Sequence, residues 1–383
     1  MERKKYKLSD LLTIKNGKDY KHLEEGNIPV FGSGGYMLSR SSFLYDKPSI
    51  LLPRKGTLSN IQYYNKGKFW TVDTCFYSII NDELCDGYYL YRYLRNLDLS
   101  RYDTGASIPS MTQKTYNKIK VFLPSLPTQQ KISSILSAYD HLIENNTRRI
   151  RLLEQMAENL YKEWFVRFRF PEHENVEIVN GLPKGWKTIH IKELAQLKSG
   201  YAFKSEWFVE EGEAVAKIKD IGNILMDTSN FSYVDKENCI KAKKFLLTTG
   251  DLTIALTGAT IGKISIVPKH KGNIYTNQRL GKFFLGDNPM EKLPFLYCLF
   301  KQESMVSNIV NLSNSSSAQP NISPEQIEKI KILGNHDIIS MYNKTCNPLF
   351  SNILALYSQN QLLTRQRDLL LPRLMSGKLE VKS

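Results

Sequence analysis

The sequence predicts an α+β chain in which two similar mixed α/β domains are linked by two long antiparallel helices, a coiled coil, giving an internal pseudo-two-fold repeat. Three observations predict it. Segments of the first half recur in the second at nearly constant spacing; residues 128–168 contain neither glycine nor proline and carry apolar side chains at helical period; and the rest reads as short β-rich runs broken by Gly, Asn and Asp. At 383 residues the chain has room for two full hydrophobic cores.

The repeat sets the boundaries. Tyr6–Gly17 (YKLSDLLTIKNG) returns as Trp186–Gly200 (WKTIHIKELAQLKSG), with Leu11, Ile14, Lys15 and Gly17 falling on Leu194, Leu197, Lys198 and Gly200 at a spacing of 183. Ser107–Val121 returns as Ser317–Ile332 at a spacing of 211, aligning Pro109 with Pro320 and Ile119 with Ile330. Ile143–Leu160 returns as Ile353–Leu370 at 210, with Leu152, Leu153 and Leu160 on Leu362, Leu363 and Leu370. The second globular unit is therefore longer by 28 residues, the difference between 211 and 183. Four segments follow: a domain at 1–127, a long helix at 128–169, a second domain at 170–335 and a second long helix at 336–383.

In chain order, Ser49–Leu52, Phe69–Val72 and Phe76–Ile80 are the strands of the first domain, rich in β-branched and aromatic residues. Pro127 and Thr128 start the first helix, and Ile132, Ile135, Tyr139, Leu142, Ile150, Leu153, Leu160 and Trp164 form its apolar stripe. Phe170-Pro171 ends it. Roughly 40 residues at about 1.5 Å each make a rod of about 60 Å. In the second domain the strands are Leu252–Leu256, Lys263–Val267 and Lys282–Leu285. Leu349, Ile353, Leu356, Asn360, Leu363, Leu370 and Leu374 follow a four-three seam, which Pro348 opens and Pro372 and Gly377 bend or end. Two such stripes bury each other in an antiparallel pair; the alternative is that each helix packs on its own domain. Asn146 and Asn360 fall where they either enter the seam and set its register or face solvent.

The balance of 52 Lys+Arg against 38 Asp+Glu, a net +14, points to a polyanionic partner, nucleic acid or an anionic membrane. No apolar run approaches the ~18 residues of a membrane span, and the charged start MERKKYKLSD has no apolar stretch behind it. A soluble cytoplasmic protein is expected. Cys75, Cys85, Cys239, Cys298 and Cys346 are odd in number and scattered, so neither a disulfide framework nor a zinc site is expected.

Several segments resemble the specificity subunits of type I restriction-modification systems: IPVFGSGG (Ile28–Gly35), LLPRKGT (Leu51–Thr57), LPSLPTQQKISSIL (Leu123–Leu136), GDLTIALTGATIGKISIV (Gly250–Val267), TNQRLGKF (Thr276–Phe283) and RDLLLPRLMSGKL (Arg367–Leu379). The resemblance covers nearly the whole chain, with one departure: the LPxLPxQxxI start of the first helix has no clear second copy, and LGNHDIISMY stands in its place. The resemblance implies two target-recognition domains, each reading one half of a bipartite, asymmetric site in double-stranded DNA. It implies that the helices set the unread spacer and dock two modification (methyltransferase) subunits, with restriction/translocase subunits as further partners. This chain would then bind no cofactor, while its partners would use S-adenosylmethionine, and ATP and Mg where a motor or nuclease subunit is present.

Polar and basic residues on Gly-rich turns are the candidates for reaching DNA, because there the backbone approaches phosphate and side chains enter a groove. In the first domain these are Ser33, Arg54, Lys55, Thr57, Arg101 and Ser107; in the second, Lys198, Tyr201, Lys204, Lys217, Thr257, Thr260, Gln278 and Arg279. Arg suits paired hydrogen bonds to guanine and Gln to adenine, which singles out Gln278-Arg279. Each of these also reads as a solvated turn residue. Asn311–Asn321 reads either as a loop that orders on DNA or as a surface linker.

The rival reading is a self-contained DNA methyltransferase, or the recognition part of a fused restriction enzyme, prompted by Phe31-Gly32-Ser33-Gly34-Gly35. A nucleotide-binding loop needs a strand before it and a helix after it, and an adenine methyltransferase needs an NPPY-like tetrapeptide; the chain has no Pro-Pro pair. Nor is there a GxxxxGK[ST] loop. No catalytic or metal-ligating residue is expected. A purely structural coiled-coil scaffold would leave two basic, turn-rich domains without a role.

Overall fold

Ser49–Pro53 (SILLP) has no polar side to offer solvent, and in the computed structural model it is a central strand with all five residues buried. The structure describes residues 2–103, 108–313 and 320–381. It divides into two compact units, Met1–Ile143 with Leu363–Ser383, and Glu144–Leu362. Each unit combines one globular portion with a stretch of both long helices.

In the first unit the order is β1 (Lys4–Lys7), α1 (Leu8–Leu11), β2 (Leu12–Asn16), β3 (Ile28–Gly32), β4 (Gly35–Arg40), β5 (Ser49–Pro53), β6 (Gln62–Tyr64), β7 (Trp70–Thr71), β8 (Cys75–Ile80), α2 (Gly87–Arg95), α3 (Gln113–Asn117), β9 (Lys120–Leu123) and the start of α4 (Leu126–Tyr161). One sheet runs β2-β8-β5-β6, a second β4-β3-β7 with β3 and β7 parallel, and β1 pairs with β9. The Asp86 carboxylate caps α2 by accepting from Tyr89 N at 2.8 Å, so Tyr89, Leu90 and Leu94 enter the core.

The second unit repeats this plan. After the hairpin β10 (Ile178–Val179) and β11 (Leu182–Pro183) come β12 (Lys187–His190), α5 (Ile191–Leu194), β13 (Gln196–Ser199), β14 (Phe208–Val209), β15 (Glu213–Ala216), β16 (Ser232–Val234), β17 (Leu246–Leu247), β18 (Leu252–Ala255), β19 (Ile264–Ile266), β20 (Ile274–Thr276) and β21 (Leu280–Phe284). Then follow α6 (Leu293–Lys301), α7 (Glu303–Ser313), α8 (Pro324–Glu328), β22 (Lys331–Gly334) and α9 (His336–Ser376). Sheet β13-β21-β18-β19 matches β2-β8-β5-β6, the β12–β22 pair matches β1–β9, and the parallel β15–β20 pair matches β3–β7. In that sheet β16 takes the place of β4 beside the parallel pair, and the extra length adds β14 and β17.

Glycine and proline positions carry the repeat into three dimensions. A Cβ on Gly17 would lie 2.0 Å from Val72 O, and one on Gly200 2.2 Å from Thr276 O. The next residue closes the same bond in both copies, Lys18 N to Thr71 O at 2.9 Å and Tyr201 N to Thr276 O at 2.8 Å. Pro109 O accepts from Gly56 N and Pro320 O from Gly258 N, each at 2.9 Å, and both glycines have positive φ, 93° and 80°.

The long helices run antiparallel within each unit. In the first, Ile132 and Leu136 of α4 share a core with Leu374 and Met375 of α9. In the second, Tyr342 donates to Ala157 O at 2.7 Å and Asn146 Nδ2 to Gln359 Oε1 at 3.0 Å. Asn146 is only 4% exposed, and Asn360 donates to Thr147 Oγ1 at 3.2 Å, so both asparagines lie in the seam. α4 ends in a π turn, Lys162–Val166, followed by Phe168 at φ 58°.

One expectation needs correction: Pro348 does not open the second helix. α9 begins at His336, capped by the Asn335 side chain, whose oxygen accepts from Asp337 N at 2.9 Å. Pro348 lies inside it. A mid-helix proline costs about 3 kcal/mol, but Ile339, Tyr342, Cys346, Phe350 and Ile353 around it are all buried in the core of the second unit. At about 1.5–3 kcal/mol per large side chain, that stripe outweighs the penalty. All five cysteines are buried and unbridged. No described helix is long and apolar enough to cross a membrane.

Candidate nucleic-acid interface

At the end of β5 the first unit gathers four separate segments. Just past the last pair of the β5–β8 ladder, Pro53–Cys75, Arg54 N donates to Thr74 O at 2.9 Å. Met111 N donates to Arg54 O at 3.0 Å, and Asn60 Nδ2 to Ser33 O at 2.7 Å. Ser33, Arg54, Lys55 and Thr57 therefore share one corner with Asp73 and Thr74. The Arg54 guanidinium rests 5.9 Å from the Phe76 ring, and Arg54, Lys55 and Thr57 are exposed. Arg101 stands over Tyr102 at 5.1 Å, two residues from Asp103, whose carboxylate accepts from Ser110 N at 2.8 Å. Ser107 lies outside the described residues, as does most of Asn311–Asn321.

The second unit builds the same corner. Leu256 N donates to Arg279 O at 3.0 Å and Ile322 N to Leu256 O at 3.0 Å, repeating the bonds made around Arg54. Gln278 N donates to Tyr201 O at 3.0 Å and Asn277 N to Ala216 O at 3.0 Å, which places Lys217 beside the turn. Tyr201, Lys217, Thr257, Gln278 and Arg279 thus converge, and Thr260 lies on the same loop as Thr257. The Tyr201 ring packs on Phe203 at 5.0 Å and stacks on Trp207 at 6.4 Å, so its ring buttresses the corner. Lys217 sits 3.7 Å over Phe208; burial, with Lys219 nearby, pulls its ammonium below the ordinary lysine range despite Asp220.

Two candidates lie apart. Lys204 pairs with Glu206 at 3.7 Å and covers Trp207 at 5.4 Å. Lys198 is an exposed β13 residue paired in register with Lys282 and 5.3 Å from the Phe284 ring.

Sequence reasoning missed several neighbours of these corners. Tyr36 and Met37, 63% and 46% exposed, follow the Ser33–Gly34 turn. Asp73 and Thr74 hold the place that Gln278 and Arg279 hold in the second unit. Lys241, Lys243 and Lys244 are exposed on the 3-10 helix Glu237–Phe245, which leads into β17 and its pairing of Leu246 with Tyr275 of β20. The charge run KAKKF was the available signal for the lysines, and extending the repeat alignment through TVDTC and YTNQR was the signal for Asp73 and Thr74. Among the described residues no cluster of three or more His, Cys, Asp or Glu could hold a metal ion.

Each corner offers exposed cations, hydroxyls and amides on rigid turns, the donor set that contacts phosphates and base edges. Comparison with known proteins agrees with that chemistry. Residues 2–155 and 183–333 match the type I restriction modification DNA specificity domain, once per unit of the repeat. The chain is 26% identical over 356 residues to the MjaIX type I restriction enzyme specificity subunit of Methanocaldococcus jannaschii, covering 88% of this chain and 79% of that one. It is 26% identical over 338 residues to the HindI specificity subunit of Haemophilus influenzae, covering 71% and 72%. The crystal structure of a type I restriction-modification S subunit from M. genitalium shares the fold, with a TM-score of 0.64 at 20% identity over 97% of this chain and 96% of that one. With both copies of the domain accounted for, the chain belongs to the type I restriction-modification DNA specificity family.

Proposed function

We propose that this protein is the DNA-sequence-specificity subunit of a type I restriction-modification complex. Each unit reads one half of a bipartite, asymmetric site in duplex DNA, through Ser33, Arg54, Lys55, Thr57, Arg101 and Ser107 in one and Lys198, Tyr201, Lys204, Lys217, Thr257, Thr260, Gln278 and Arg279 in the other. The helices α4 and α9 set the spacer and dock two methyltransferase subunits, directing adenine methylation and, where a restriction/translocase subunit joins, cleavage. The chain is non-catalytic and acts in the cytoplasm; S-adenosylmethionine, and ATP with Mg, serve the partner subunits.

One observation carries this reading: the same backbone corner occurs twice, with different exposed side chains on it. A duplicated frame with diverged contacts is what two different half-sites require. The rival methyltransferase reading rested on Phe31–Gly35, and that segment turns between antiparallel β3 and β4. No helix N-terminus stands there to receive a phosphate, which weighs against a nucleotide loop.

Exchanging residues 172–335 for the equivalent domain of a relative tests the proposal, with the chain reconstituted with its modification subunits and methylated positions mapped by sequencing. One half of the site changes and the other stays. An unchanged site, or methylation by the chain without partners, refutes it.

A further inference from the structure

The two corners differ in where the arginine comes from. In the first unit Arg54 follows β5 and its N–H donates to Thr74 O; in the second Leu256 takes the Arg54 position and Arg279 the Thr74 position, joined by the equivalent backbone bond. Thr74 and Arg279 each sit inside a turn, closed by Cys75 N–Val72 O at 2.9 Å and by Leu280 N–Asn277 O at 2.8 Å. The arginine has moved to the other segment of the corner.

The residue beneath has changed with it. Arg54 rides on the Phe76 ring at 5.9 Å. The matching residue in the second unit is Gly281, since Leu52 pairs with Phe76 and Ile254 with Gly281. A Cβ on Gly281 would lie 2.8 Å from Leu197 Cδ1, 3.0 Å from Ile254 Cγ2 and 3.4 Å from Leu256 Cδ2, so these three side chains together close the room that the aromatic ring fills in the first unit. Phe76 with Arg54 and Gly281 with Leu256 are two packings of one site. The second leaves position 256 apolar and buried, so the guanidinium has to come from position 279.

We infer that Arg54 and Arg279 are equivalent specificity-determining residues, each reading a guanine at the same distance from the unread spacer in its own half-site. A position-by-position alignment pairs Arg54 with Leu256 and hides this; the equivalent backbone bonds Arg54 N–Thr74 O and Leu256 N–Arg279 O show it. The inference rests on the proposed sequence-reading role and adds which side chains occupy the matching place.

The test uses Arg54→Lys and Arg279→Lys in the full chain assembled with its modification subunits, followed by mapping of methylated sites. Lysine keeps the charge for phosphate but lacks the two-pronged donor that suits guanine. Each variant is expected to relax one base pair, in opposite half-sites and equally far from the spacer, with discrimination there falling about 5- to 150-fold. Relaxation at unequal distances, or uniform weakening with no change in preference, overturns the inference while leaving the specificity role standing. If the unmodified chain directs methylation to no bipartite site, the role itself fails, and the inference with it.

Discussion

Asp140 offers a test of what holds the first unit to its stretch of α9. Its carboxylate, on α4, accepts from the Tyr88 hydroxyl and the Arg92 guanidinium of α2, and from Arg367 Nη1 of α9 at 2.7 Å. The Arg92 and Arg367 side chains are 7% and 18% exposed, and Asp140 itself 28%. Replacing it with Asn removes the charge and turns an amide toward donors, leaving the largely buried Arg92 without its counter-charge, while Arg367 keeps its pair with Asp368 at 2.8 Å. Breaking a buried pair costs about 3–5 kcal/mol, and the partial exposure of Asp140 argues for about 3. That is roughly a 150-fold increase in opening at 1.36 kcal/mol per decade.

Hydrogen exchange, read segment by segment, separates the units. In Asp140→Asn, protection falls by about two decades in α2 and residues 126–143 and holds in residues 336–356. The pH dependence gives a second reading. Burial raises the Asp140 pKa, but hydrogen bonds from Tyr88 and Arg367 and the charge of Arg92 outweigh it, leaving the carboxyl below its ordinary value. A depressed acid stabilises above its unfolded pKa, near 3.9, and that stability is lost as pH falls through the lower folded value. The variant therefore lacks this acid-side loss. A drop in protection below fivefold, or an equal drop in both units, refutes the clamp.

Two further outcomes follow from the corners and the helices. Replacing Lys241, Lys243 and Lys244 with Ala should reduce the salt dependence of DNA binding by the assembled complex, by about 0.9 in the log–log slope for each lost phosphate contact; an unchanged slope in a binding titration removes these lysines from the interface. Inserting four residues after Thr147 and four before Asn360 lengthens both helices by about 6 Å, nearly two base-pair steps of about 3.4 Å, so mapped sites should show a spacer longer by two; an unaltered spacer refutes the ruler role.

The strands were legible because burial on both faces leaves its mark on every residue: Ser49–Leu52 and Leu252–Leu256 are nearly unbroken apolar runs, and both are central strands. The start of α9 carried two conflicting signals: the segment boundary at 336, where α9 begins with the single cap Asn335, and Pro348, a misleading one that only the surrounding buried stripe explains away. The corners were legible as loops but not as one site. Arg54, Thr74, Gly56 and Pro109 meet through backbone bonds between distant segments, and Ser33 joins them through the Asn60 amide; composition says nothing of those.

The same bonds explain why the repeat survives where it does. Gly17, Gly200, Pro109 and Pro320 match between the copies because each answers to a backbone demand: a Cβ at either glycine would strike a carbonyl, and each proline carbonyl holds a glycine of positive φ. The corner's framework is closed by Arg54 N–Thr74 O and Gly56 N–Pro109 O in one unit, and by Leu256 N–Arg279 O and Gly258 N–Pro320 O in the other. None of these bonds depends on which side chain projects from it. An exposed substitution there is worth within about 0.5 kcal/mol of stability, whereas a lost paired contact to a base is worth about 1–3 kcal/mol of discrimination. Exposed side chains at the corner can therefore diverge between the units at almost no cost to the fold, as Asp73 and Gln278 do.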